Sequence, residues 1–429
     1  MIAETVDELG GIGAPAADHG HLHPHDNTPR RAPPSAIREA TTFNVTSPRV
    51  EITSPAPLLL AVDGGASKTD VALVAADGSL VGRARGSASN HQTIGLDAAM
   101  DHLDAAIREA VAGAATVLHS ADQPSATRAA SGDGRPLFAL GTFCLAGLDL
   151  EVDEARLQNA IAARGWASEQ LLFNDTFAVL RSGASSGWGI GVVCGTGLNC
   201  VGLGPSGETV RFPALGELSG DFAPGGIWLG IRGLGIALRA RDGRGCATLL
   251  RERVAAHFGR HSPEAVLEAV YTGELPLGKL AELAEVVVAA AADADAPSNE
   301  ALDLLVNEVV AMVAATAGRF GRDTSEDSRR RPDNDRPPPH LGDAELSGDA
   351  ELLGDAELLG DTEVEVVVGG GMFDSSLFSD RVLGGIRACL PRAVLRRIAG
   401  PPVVGAALLG LDHLGASLAA QERLRAALR

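Results

Sequence analysis

Asp63, Gly64, Gly65, Ala66, Ser67, Lys68 and Thr69 put a carboxylate, two adjacent glycines and three side-chain donors into one short segment. Such a segment can turn its backbone N–H groups toward phosphate oxygens while Ser67, Lys68 and Thr69 add donors. It is not a Walker A loop, because Ser67 precedes Lys68 and a period-two strand pattern follows where a helix is required. Asp63 could hold Mg²⁺ directly or through water; an ordinary hairpin with a capping Asp fits the same residues. Cys194, Gly195, Thr196, Gly197, Leu198 and Asn199 repeat the glycine pattern, as a clamp closing on phosphates from two sides would need. Val366, Val367 and Val368 then run into Gly369, Gly370 and Gly371, where the backbone can approach a flat ligand face or simply turn into a helix.

These segments need elements to aim them. Leu58 to Val62, Thr69 to Ala75 and Leu80 to Arg85 predict strands, with Asp77-Gly78 as a turn. Leu96, Met100, Leu103, Ile107 and Val111 share one face of a helix predicted over 93–115. A strand is expected at Leu137 to Leu140, a helix at Asp153 to Arg164, and a strand at Leu171 to Phe173 that ends on Asn174 and Asp175. Ile190 to Phe212 repeats the order strand, glycine turn, strand, Ser206-Gly207 turn, strand. Helical patterns fill Ile227 to Gly318, and two short helices are expected from Pro402 to Arg429. Two β-meanders, each followed by helices, predict an α/β protein of two duplicated subdomains facing each other across a cleft.

Two stretches stand outside this pattern. Residues 1–56 are rich in Pro, Ala, His and Thr without periodicity and read as a disordered tail; His19, His21, His23 and His25 lie within it. Residues 321–363 read as a low-complexity insertion, with copies of a six-residue repeat starting at Gly342, Gly348, Gly354 and Gly360, a step that fits no helical stripe.

Composition narrows the partners. The 429 residues are 45% hydrophobic, enough for one large or two medium domains. A formal charge of −19 disfavours nucleic acid and anionic membranes. Lys68 and Lys279 are the only lysines, the other basic residues being Arg. The five cysteines form no CxxC pair, which suits a reducing cytoplasm, and no apolar run is long enough to span a bilayer.

In this order and at these separations, the three glycine motifs resemble the sugar kinase, Hsp70 and actin superfamily, and within it the BadF/BadG/BcrA/BcrD-type ATPase and N-acetylglucosamine kinase family. The resemblance covers residues 58–429 apart from the insertion. It implies an actin-like, ribonuclease H-like duplicated fold, divided into 57–183 with a C-terminal helix at about 414–429, and 184–413. It further implies ATP held by Gly64, Gly65, Ser67, Lys68, Thr69, Gly195, Thr196 and Gly197, with Mg²⁺ at Asp63 and Gly369, Gly370 and Gly371 against the adenosine.

The segment Ser89-Asn90-His91-Gln92-Thr93-Ile94-Gly95 is similar to the sugar-binding loop of N-acetylglucosamine kinases, which gives Asn90, with His91, an acceptor role. Asp175, behind Asn174, matches the family's catalytic Asp, although it could also cap a helix from Phe177. Asn174, Asn199 and Asp221 fall on the acceptor side, and Glu217 is a weaker match there. The segment after Asp221 departs from the family, since Phe222-Ala223-Pro224-Gly225-Gly226 stands where relatives carry a Gly-rich or acidic stretch, and Pro224 stiffens it. The implied activity is ATP-dependent phosphorylation of the 6-hydroxyl of an amino sugar, N-acetyl-D-glucosamine first, with glucosamine, N-acetylmuramate or another hexose as alternatives. A BadF-type ATPase that drives a partner protein is the rival, and relatives are often dimers.

Overall fold

A computed structural model describes residues 58–118, 136–320, 363–398 and 400–428. The N-terminal tail and the repeat insertion therefore lie outside the described residues, except for Glu363 at the insertion's end.

The N-terminal sheet contains β1 (Leu58–Gly64), β2 (Lys68–Ala75), β3 (Leu80–Ser87), β4 (Phe138–Leu145) and β5 (Ala167–Asn174), in the spatial order β3-β2-β1-β4-β5. The first three pair antiparallel as a meander, while β4 and β5 add parallel to β1. Leu59 through Val62 are fully buried, as a central strand covered on both faces must be.

Among the described residues, four helices belong to this part of the chain: α1 (His91–Ile94), α2 (Leu96–Leu118), α3 (Glu151–Arg164) and α4 (Asp175–Gly183). The single helix predicted over 93–115 is broken at Gly95, whose φ of +83° lies in the left-handed region open to glycine. Met100, Leu103 and Ile107 of α2 join Leu157 and Ile161 of α3 over one face of the sheet.

The C-terminal half repeats the plan. It comprises β6 (Gly189–Cys194), β7 (Leu198–Leu203), β8 (Thr209–Arg211), α5 (Gly226–Asp242), α6 (Leu250–His257), α7 (Pro263–Tyr271), α8 (Leu283–Ala292), α9 (Ala296–Ala317), β9 (Val364–Gly369), α10 (Ser376–Cys389) and β10 (Ala393–Arg397). The strand order is β10-β9-β6-β7-β8, so β6 takes the place of β1 and β9 that of β4. The two sheets have one topology, and the duplication expected from the glycine hairpins is present in the backbone.

Helices α11 (Val403–His413) and α12 (Leu418–Ala427) return to the N-terminal sheet, where Val403, Ala407, Leu408 and Leu424 pack with Leu59, Ala61 and Leu140. Helix α4 is shared between the halves. Its Ala178 packs on the N-terminal sheet with α11, while Phe177, Val179 and Leu180 pack with Val201 and Val367 of the other. Gly405 of α11 crosses α4 so closely that a Cβ there would lie 1.8 Å from the Ala178 carbonyl oxygen. Arg181 of α4 adds a paired contact to Asp412 at 2.6 and 2.9 Å.

Candidate active site

Parallel strands bring their C-terminal ends to one edge, and the chemistry gathers there. In register, Gly64 of β1 lies beside Leu145 of β4, and Leu145 beside Asn174 of β5. Asp63 and Asp175 therefore share this edge with β4 between their strands, about 10 Å of sheet width. Both are half-buried.

The first hairpin turns at Gly65, whose N–H donates to the Lys68 carbonyl at 2.9 Å, leaving Ala66 and Ser67 at an exposed tip. Gly64 has no room for a side chain, since a Cβ would stand 2.4 Å from Ser89 Oγ and 2.6 Å from Leu145. Thr69 is buried behind the tip. Its hydroxyl donates to the Ser87 carbonyl at 2.7 Å and lies 2.8 Å from Ser89 Oγ, fastening the hairpin to the loop that carries Asn90. Lys68 remains about half exposed, with Nζ 3.6 Å from Asp70.

The second hairpin is braced from two sides. The Gly226 and Ile227 N–H groups at the start of α5 donate to the Gly195 and Thr196 carbonyls at 2.8 and 3.0 Å. On the other side Gly370, at φ +93°, packs so that a Cβ would sit 2.3 Å from the Cys194 carbonyl oxygen. Val193 pairs with Gly369, so the second and third glycine motifs adjoin, and Thr196, Gly197, Gly370 and Gly371 are exposed. Cys194 and Cys200 are buried fillers, and burial pushes the Cys200 thiol up to about 12.

The two halves meet beside Asn174. Asn199 Nδ2 donates to Asn174 Oδ1 at 3.1 Å, and Arg211 of β8 reaches Glu154 of α3 at 3.2 Å. Asn174, not Asp175, caps α4, its Oδ1 also accepting the Thr176 N–H at 3.0 Å. Asp175 is left at the first position of the helix.

Asn90 caps α1, accepting the Gln92 N–H at 2.9 Å, and its Oδ1 lies against Gly147. His91 points inward. Its Nε2 lies 3.2 Å from Asp153 Oδ1 in a buried contact, so in this arrangement it supports the loop rather than lining the cleft. Asp221 is buried in the loop after β8, where it accepts the Ser219 hydroxyl at 3.0 Å; among the described residues it makes no hydrogen bond to Asn174, Asp175 or Asn199.

Electrostatics separate the two carboxylates at the edge. Burial, then the negative charges of Asp175 and Asp70, push Asp63 up to about 8 against the opposing pull of Lys68 and Arg85. Burial, with Asp149 as the leading charge, pushes Asp175 up to about 6, although hydrogen bonds at Thr176 act the other way. An acid held so high beside a second carboxylate suits a site completed by a cation. Among the described residues no cluster of three or more His, Cys, Asp or Glu could hold a metal. Mg²⁺ needs no such cluster, since one or two carboxylates, phosphate oxygens and water suffice for it. Asp63 is therefore a suitable single protein ligand for Mg²⁺ bound together with a nucleotide.

Asp149 is missing from the sequence-based candidates. It follows β4 much as Asp175 follows β5, and its carboxylate accepts from Gln92 at 3.2 Å and from Asn174 at 3.1 Å. Burial raises its pKa. The strand expected at Leu137 to Leu140 runs on to Leu145, and only that longer strand delivers Asp149 to the cleft edge.

Comparison with known proteins fits this geometry. The chain is 27% identical over 184 residues to the N-acetylmuramic acid/N-acetylglucosamine kinase of Clostridium acetobutylicum, covering 42% of this chain and 60% of that one. It is 24% identical over 280 residues to the N-acetyl-D-glucosamine kinase of Dictyostelium discoideum, covering 63% and 82%. A crystal structure from Chromobacterium violaceum, of a protein assigned as an N-acetylglucosamine kinase, superposes with a TM-score of 0.52 at 22% identity, over 82% of this chain and 99% of that one. That likeness gives the fold, an actin-like pair of α/β subdomains. Residues 60–326 match the model of the BadF/BadG/BcrA/BcrD ATPase family, and the chain belongs to that family.

Proposed function

We propose that this protein is an ATP-dependent sugar kinase that phosphorylates the 6-hydroxyl of an amino sugar, with N-acetyl-D-glucosamine as the leading acceptor. The observation that carries the reading is the position of Asp175, a half-buried carboxylate at the C-terminal edge of β5, joined through Asn174 and Asn199 to the strand leaving the second hairpin. The names of the two curated relatives support the acceptor class.

On this reading the exposed tips at Ala66-Ser67 and Thr196-Gly197 take the phosphates, and Gly370-Gly371 faces the adenosine. Asp63 holds Mg²⁺, which supplies neutralisation of phosphate charge when bound. Asn90 and Asn199 orient the sugar. Asp175 accepts the proton as the sugar oxygen bonds to the γ-phosphorus and the bond from that phosphorus to the β–γ bridging oxygen breaks, releasing ADP. Phosphoryl transfer asks chiefly for alignment and charge neutralisation, which opposed backbone cradles supply. A general base adds on the order of 10² to 10⁴ in rate.

The test is ADP release across a panel of N-acetylglucosamine, glucosamine, N-acetylmuramate and glucose, with and without Mg²⁺, and phosphorus NMR to locate the product phosphate. Sugar-dependent turnover with a 6-phosphate product supports the proposal. ATP hydrolysis indifferent to every sugar would replace it with a partner-driving ATPase.

A further inference from the structure

We propose that Asp149 is a positioning residue of the acceptor site, whose carboxylate fixes the amides of Gln92 and Asn174 and, through Asn174, ties Asn199 of the opposite half to the strand end bearing Asp175. This rests on the sugar-kinase reading of that cleft.

Donor and acceptor polarity fixes how these groups face one another. Asp149 Oδ2 accepts from Gln92 Nε2 at 3.2 Å, and the same amide nitrogen donates to the Gly147 carbonyl at 3.1 Å. Asp149 Oδ1 accepts from Asn174 Nδ2 at 3.1 Å, with the Leu148 carbonyl a longer partner of that nitrogen at 3.4 Å. An ionised carboxylate only accepts, so it forces the NH₂ side of each amide toward itself. Asn174 must then present Oδ1 the other way, where it receives the Thr176 N–H at 3.0 Å and Asn199 Nδ2 at 3.1 Å.

If the Asn174 amide were turned over, its NH₂ would face two donors. The cap of α4 and the bond between the halves would be lost together. Asp149 thus serves three tasks: through Gln92 it holds the segment of Asn90, and through Asn174 it keeps both the cap of the helix that starts at Asp175 and the bond to the opposing half. The titratable and charged groups around it come from several elements: His91 in α1, Asp153 in α3, Arg211 in β8 and Asp175 in α4.

A double-mutant cycle tests this with Asp149→Asn and Asn199→Ala, reading acceptor KM, ATP KM and melting temperature. Asparagine keeps the size but points an NH₂ at one of the two amides. The expected result is a rise of about tenfold in acceptor KM with ATP KM unmoved. That rise should shrink to below about threefold when Asn199 is already Ala, because the path through Asn174 then has no far end. Additive effects, an unchanged acceptor KM, or equal losses for sugar and ATP would each overturn the inference. A wild type that phosphorylates no sugar overturns the kinase reading itself, and the inference with it.

Discussion

Asn199 Nδ2 stands 3.1 Å from Asn174 Oδ1, and this bond joins the strand leaving the second glycine hairpin to the residue just before Asp175. Asn174 ends β5 and Asn199 is the second residue of β7, strands of different sheets, so the contact records that both sheets direct these strand ends at one cleft. The consequences are testable residue by residue.

On the kinase reading, replacing Asp175 by Asn removes the proton acceptor and keeps the volume. Turnover should fall by about 10² to 10⁴, while isothermal titration shows ATP and sugar still binding. A kcat within threefold of wild type would remove Asp175 from the mechanism.

The same residue sets a pH limit. It must be ionised to accept a proton, and its pKa lies at about 6, so kcat/KM for the sugar should fall as pH drops below about 6. A profile flat down to pH 4.5 would contradict this. Stability runs the opposite way. A carboxyl whose folded pKa is raised from 3.8 stabilises the native state most below about 4 and loses that contribution as pH rises to about 6. Asp175→Asn should therefore be more stable than wild type at pH 7.5, by about 1–2 kcal/mol after allowance for partial exposure. Equal or lower melting temperature would argue against the burial penalty.

Gly370 should tolerate no side chain. With φ at +93° and the Cys194 carbonyl oxygen 2.3 Å from any Cβ, Gly370→Ala adds backbone strain to a clash with main chain. A loss of about 2–4 kcal/mol is expected, with ATP affinity falling more than sugar affinity. Thermal melts and nucleotide titrations read both, and an alanine variant with wild-type melting and ATP binding would show that the third motif does not brace the second.

The repeat segment should be dispensable for chemistry. Phe320 packs beside Gly202 and Trp188, and Glu365 beside Gly189, so the chain leaves and re-enters at the end of the C-terminal sheet away from the hairpin. Phe320 lies against β7 and Glu365 is in β9, with β6 between those strands, and a linker of roughly ten Gly/Ser residues reaches about 30 Å. Replacing 321–362 with such a linker should leave kcat and both KM values within about twofold; a selective loss of sugar turnover would assign that segment a catalytic part.

Much of this architecture could be read from residue order. The paired meanders, the glycine hairpins and the strand end at Asn174-Asp175 announce themselves because apolar runs and turn residues are local signals. What escaped depends on distance in sequence. Asp149 is an unremarked acid until β4 is seen to extend through Phe143, Cys144 and Leu145. His91 sits in the segment expected to hold the sugar, yet its partner Asp153 lies on another helix and turns it inward. Strand β10 reads as Ala-Val-Leu-Arg-Arg at the rim of the sheet, too short and too charged to be distinguished from a loop without its neighbour β9.

Where α11 passes over α4, Gly405 rests on the Ala178 carbonyl with nothing between the two main chains. Only a residue without a side chain permits that approach, and the paired contact from Arg181 to Asp412 fastens the same two helices. The crossing is thus a rivet whose two parts stand or fall together: any side chain at 405 would pry α11 off α4 and pull the guanidinium from its carboxylate in the same movement.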